Sequence, residues 1–186
     1  MLTLRITGAL LALAALAGCS SPDSPAATTG SGDRAAKLHD AAECLRQHGV
    51  ENFHDPVLGA NGQVFTDTRA LEEKKPETTV STAMTACRDK INAANWKPDQ
   101  LPPAPAALVA AGVKSAQCMR AHGLPNIKDP TANSIYTPGH GFGVTADELP
   151  PGVDKRSPVL QQAIEACRSV LDAETRASSL DQLAGK

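Results

Sequence analysis

Cys44-Leu-Arg-Gln-His48-Gly49-Val-Glu-Asn52-Phe53-His-Asp55-Pro56 returns 74 residues later as Cys118-Met-Arg-Ala-His122-Gly123-Leu-Pro-Asn126-Ile127-Lys-Asp129-Pro130. Seven of the thirteen positions are identical, and three more exchange one apolar side chain for another. A second block, Ala83-Met-Thr-Ala86-Cys87-Arg88, returns as Ala163-Ile-Glu-Ala166-Cys167-Arg168 at an offset of 80. Agreement at two separated blocks means one ancestral unit used twice. The difference between the offsets belongs to the loop between the blocks.

Each copy predicts the same coarse structure. In the later helix, Val80, Ala83, Met84, Cys87 and Ile91 fall on one face, and Leu160, Ala163, Ile164, Cys167 and Leu171 repeat that spacing. The earlier helices carry the stripes Leu38, Ala41, Cys44, Leu45, His48 and Leu108, Ala111, Ser115, Cys118, Met119, His122. Gly49 and Gly123 should end them, because a left-handed C-cap favours a residue without Cβ. Ser157 before Pro158 predicts an N-cap and first turn. Asn61-Gly62, flanked by Val57, Leu58 and by Val64, Phe65, predicts a small hairpin. The matching region of the second copy, Thr137 to Gly143, is glycine-rich and less definite. The expected fold is mainly α with a little β (α+β): two tandem units of helix, short β hairpin or loop, and helix, each bridged by a disulfide. The units are residues 35–95 and 106–177, joined by a Pro-rich stiff connector, 96–105, and followed by a C-terminal tail, 178–186.

Outward from the duplication, the N-terminus predicts the compartment. Arg5 and the apolar stretch from Ile6 to Ala17 fit a secretory signal peptide over residues 1–18. Leu16-Ala-Gly-Cys19 resembles the bacterial lipobox, in which the Cys thiol accepts a diacylglyceryl group before cleavage. Two or three palmitate-like chains on Cys19 would anchor the chain stably, since each buried CH₂ contributes about 0.8 kcal/mol. From Ser20 to Arg34 no bulky apolar residue occurs, so residues 19–34 are expected to form a flexible tether. The expected location is the extracytoplasmic face of the cell membrane.

Composition narrows the classes further. Thirty-one residues are alanine and five are aromatic, so a large oil-like core is not expected. No later apolar run approaches the roughly 20 residues of a membrane-spanning helix. The formal charge is −2, and loss of Arg5 with the signal leaves 17 basic against 20 acidic residues. No bulk field draws the chain to nucleic acid.

Beyond Cys19 four cysteines remain, and an oxidising compartment keeps paired thiols as disulfides. Three pairings are possible, and each maps onto itself when the copies are exchanged. The packing of two helices within one unit favours Cys44 with Cys87 and Cys118 with Cys167. The sharpest chemical alternative is a metal or haem site using His48 and His122, since Cys and His four residues apart share a helical face. Against it, His in a last helical turn suits the macrodipole, and a disulfide sulfur is no thiolate ligand. The matched polar residues Arg46, His48, Asn52 and Asp55, with Arg120, His122, Asn126 and Asp129, are the candidate ligand-binding set. Asp55-Pro56 and Asp129-Pro130 also suit turn initiation. Glu72-Glu73-Lys74-Lys75 suits an exposed charged segment. No nucleophile-elbow, zincin, C-x-x-C or phosphate-loop pattern occurs, so no catalytic residue and no cofactor are assigned.

The phrase C-M-R-x-H-G-x-P-N-x-x-D-P, followed by S-P and A-C-R, resembles a group of actinobacterial secreted or lipid-anchored proteins. The resemblance spans residues 36 to 175. The first copy departs from it at Glu51 and His54, and the second has Lys128 where proline is frequent. It implies an envelope lipoprotein and brings no activity or catalytic residues with it. The expectation is a non-enzymatic, membrane-anchored binding or interaction module. Its partners are the membrane through Cys19 and an envelope protein or small molecule.

Overall fold

In a computed structural model, the protein is described over residues 28–72, 77–98 and 100–185. Residues 1–27 fall outside it, and with them Cys19, the signal segment and most of the expected tether. Glu73-Lys74-Lys75 also lies outside the described residues. The elements run α1 (Thr28–Gln47), β1 (Val57–Leu58), β2 (Val64–Phe65), α2 (Arg69–Glu72), α3 (Glu77–Ala86), α4 (Arg88–Ala93), α5 (Ala106–Ala121), a 3₁₀ turn (Ala146–Glu148), α6 (Pro158–Ala166), α7 (Arg168–Ala177) and α8 (Leu180–Leu183). Over the described residues the protein is mainly helical, with one antiparallel hairpin pairing Val57 with Phe65 and Leu58 with Val64. No described helix is long and apolar enough to cross a membrane.

The disulfides are Cys44–Cys87 and Cys118–Cys167, each with Cα atoms 5.8 Å apart. Each ties the first helix of a copy to the joint of its second, and α1 packs mainly on α4 as α5 packs on α7. The expected later helix is two helices in each copy. Cys87 and Cys167 sit between them at φ −96° and −97°, with ψ near zero, in the bridge region that residues beside a tight turn adopt. Hydrogen bonds still run from Cys87 N–H to Ala83 O and from Ile91 N–H to Cys87 O, so the joint bends the rod without cutting it.

The end of α1 follows its sequence. Gly49 has φ +98°, and Val50 N–H reaches Leu45 O while Gly49 N–H reaches Arg46 O, which satisfies the orphan carbonyls of the last turn. Gly123 repeats this at φ +96°. Asn95 closes α4 in the same way at φ +47°, a conformation in which Asn is tolerated. Ser157 stands at the N-cap of α6 without capping it. Its hydroxyl is engaged with Asp154 instead, accepting from the backbone N–H and donating to Oδ1.

Several expected boundaries move. The unit is expected from residue 35, and its first helix begins at Thr28, inside the expected tether. Arg34 ties this part of α1 to the fold, donating to Gly62 O, Ala94 O and Asn95 O at the negative end of α4. The hairpin has no full counterpart in the second copy, where a single bridge joins Thr137 and Gly141. Ile164, expected on the core face, is 38 % exposed, and His48 and His122 end their stripes in solvent.

The connector and the tail are structural. Trp96 and Ala104 are buried, and Ala104 N–H pairs with Ala132 O. Tyr136 donates its hydroxyl to Pro102 O, and burial pushes its pKa up to about 12. The tail folds as α8 and buries Leu183 and Ala184. Phe65, Ala104, Leu108, Tyr136 and Leu183 form a core cluster drawn from both copies, the connector and the tail. The two copies therefore share an interior in addition to their own clusters.

Candidate functional site

The matched Arg and Asp residues form a latch in each copy. Arg46 donates to Phe53 O at 2.9 Å and to Asp55 Oδ1 at 2.8 Å. Arg120 donates to Ile127 O and pairs with Asp129, both at 2.8 Å. A guanidinium is a planar fork, and here it clips the loop after the helix back onto that helix. In the first copy His39 adds a 2.6 Å contact to Asp55. The hydrogen bond to Asp55, with its charge, raises the His39 pKa. Burial pushes the Asp55 carboxyl up, but hydrogen bonds from His39 and Arg46 hold it below the ordinary carboxylate value. Asn52 and Asn126 are exposed at the loop. The matched Arg and Asp side chains thus hold the loop of their own copy.

His48 Nδ1 lies 2.8 Å from Cys44 O and 3.7 and 3.8 Å from the two sulfurs of its bridge. In both copies the Cys, His and Cys ligand atoms lie within 4.8 Å of one another. With the sulfurs bonded to each other, one imidazole per copy remains, which falls short of the three or four ligands of a protein metal site.

A cleft of about 380 Å³ lies in the second copy, between α5, α7 and the loops at 127–130 and 142–145. Its size falls in the roughly 300–1,000 Å³ range of small-molecule sites. Met119, Ile127, Phe142 and Leu171 give it apolar walls, and Ile135, 90 % exposed, and Val144 stand at its rim. Gly112 admits the Phe142 ring, since a Cβ there would sit 2.6 Å from that ring and 2.7 Å from Pro130. Of the expected binding residues, only Asp129 lines this cleft.

Most charged groups around the cleft are engaged with neighbours. Asp129 holds Arg120, and Lys128 pairs with Asp147 at 3.1 Å. Glu148 accepts from the N–H groups of Lys128 and Thr145. Burial would raise its pKa, but these backbone bonds hold it below the usual value. His140 contacts Arg69 of the first copy. Arg69 also grips Asp67, and its hydrogen bonds keep that carboxyl below the usual range.

Glu174 was not among the residues singled out. It is 5 % exposed, on the inner face of α7. Its Oε1 accepts from Phe142 N–H at 2.8 Å, and Ser178 Oγ accepts from Gly141 N–H at 3.0 Å. Together they clip the turn at 137–142 onto α7. Gly141, at φ +78°, makes the approach possible, because a Cβ would lie 2.3 Å from the Glu174 carboxylate. A signal for Glu174 existed: Cys167, Leu171, Glu174 and Ser178 continue one helical stripe, so two polar residues fall on a face that is apolar upstream.

The two offsets show how the copies differ here. Gly112 stands where the first copy has buried Leu38, Ile127 where it has Phe53, and Glu174 where it has buried Ala94. In the first copy Trp96 packs against Phe53, the rings tilted by 46° with centroids 5.7 Å apart, and donates its indole N–H to Thr66 Oγ1. The counterpart of Trp96 at the same offset is exposed Arg176. The first copy fills its interior with an aromatic side chain, and the second leaves a cleft lined by Ile127, Leu171 and Glu174. No family model matches the chain, and neither a curated protein nor a solved structure does.

Proposed function

We propose that the protein is a lipid-anchored, extracytoplasmic, non-catalytic binding module, whose second copy holds a small ligand while the first serves as its closed scaffold. The export segment, the Leu16-Ala-Gly-Cys19 phrase and the disulfide-rich duplication support the location. The observation that carries the binding assignment is the unequal use of one repeated unit, plugged by Trp96 in one copy and open in the other. The neutral dye Nile red reports this directly. It should bind the purified chain with a rise in fluorescence, and Thr175→Trp, which places an indole at the mouth from an exposed α7 position, should weaken binding about tenfold, or 1.4 kcal/mol. Equal binding by the variant would remove the cleft as the site.

A second reading, a metal or haem carrier through His48 and His122, is favoured by the convergence of Cys, His and Cys in both copies. It requires opened bridges. Its signature is bound metal or a Soret band lost in His48→Ala and His122→Ala. We expect neither in the oxidised chain, and finding either would displace the first reading.

A further inference from the structure

We infer that the cleft of the second copy is selective for an organic ammonium ion carrying a ring-sized apolar body, with Glu174 as its anchor. This rests on the cleft being the binding site, and it adds the class of ligand. A carboxylate largely withdrawn from water is stabilised by hydrogen bonds or a cation at its oxygens. Glu174 has half of that. One oxygen takes the Phe142 N–H, while the other has no hydrogen-bond partner, and no Lys, Arg or His pairs with the group, among the described residues. Among the described residues no fully buried side-chain oxygen is left unpaired, so this second oxygen keeps some exposure, and Glu174 lines the cleft.

The other charged groups of the rim do not compete for the same role. Asp129, Lys128 and Glu148 are held by Arg120, Asp147 and backbone N–H groups. The apolar body follows from Met119, Ile127 and Leu171. A ring follows from the first copy, where Phe53, the counterpart of Ile127, is covered by the indole of Trp96. A ligand in the second copy would supply both what Trp96 supplies in the first and the positive charge that Glu174 lacks.

The test compares three ligands of one shape on the purified chain with both disulfides formed: 3-phenylpropylamine, 3-phenylpropanol and 3-phenylpropanoate, by isothermal titration. The ammonium should bind about tenfold or more tighter than the alcohol, because it adds an opposite charge to the hydrogen bond, and the carboxylate weakest. Glu174→Gln keeps an acceptor for Phe142 N–H, so the variant should remove the preference for the ammonium over the alcohol. Should that variant fail to fold, the order of the three ligands on the native chain decides. Equal binding of ammonium and alcohol, or a preference that survives in Glu174→Gln, overturns the inference. So does absence of ammonium binding while Nile red still binds, a result that leaves the cleft as a site. Loss of both overturns the two proposals together.

Discussion

Replacing Cys44 and Cys87 together by alanine should cost about 4 kcal/mol of unfolding free energy and lower the melting temperature by roughly 8 to 16 °C. The bridge closes a loop of 43 residues, and its partner in the second copy one of 49. Cross-linking such loops removes conformations from the unfolded chain, and the entropy falls with the logarithm of loop length. Domains of this size are stable by only about 5 to 15 kcal/mol, so each bridge carries a large share. Both sulfurs of the first bridge are buried, and replacing both by alanine leaves no unpaired thiol in the core. Urea unfolding of the double variant measures the loss. A change below about 1 kcal/mol would contradict the entropic argument. A thiol assay gives the covalent half of the answer: beyond Cys19, no thiol should react before reduction and four should react after it.

The bridges, the helix faces and the glycine ends were legible because they are local or repeated. Cys87 and Cys167 each recur in a stripe of helical period, and Gly49 and Gly123 follow His in the same phrase. What was not legible depends on single residues meeting across long separations. Leu180 and Leu183 share a face of the short α8, but nothing local says that Leu183 packs with Phe65 and Leu108. Arg34 sits in a stretch of small polar residues, and its three carbonyl partners come from elsewhere in the first copy. The cleft was not legible for a related reason. Repetition marks what both copies need, which is the Arg46 and Arg120 latch. The cleft lies where the copies differ, at Gly112 and Glu174.

Leu108→Ala should cost about 3 kcal/mol, within the range for a fully buried leucine, and should do so in one cooperative transition. Leu108 is wholly buried near the start of α5, against side chains from the hairpin, the connector, the turn at 136 and α8. If the copies were independent, a substitution in the second would leave a transition of the first unmoved, and calorimetry would resolve two events. The shared cluster argues otherwise. Phe65 belongs to the first copy and Tyr136 to the second, and both bury against Leu108. The Arg69 to His140 contact spans the same boundary at the surface. Destabilising α5 therefore also weakens what holds the hairpin of the first copy. The melting temperature should fall by roughly 6 to 12 °C, with calorimetric and van't Hoff enthalpies still equal. Two separated transitions, with only one shifted, would show that the disulfides make each unit sufficient alone. A single shifted transition would mean that the bridges and the shared interior act together. The cleft, whose floor is α5 and α7, would then depend on a copy that contributes nothing to its lining.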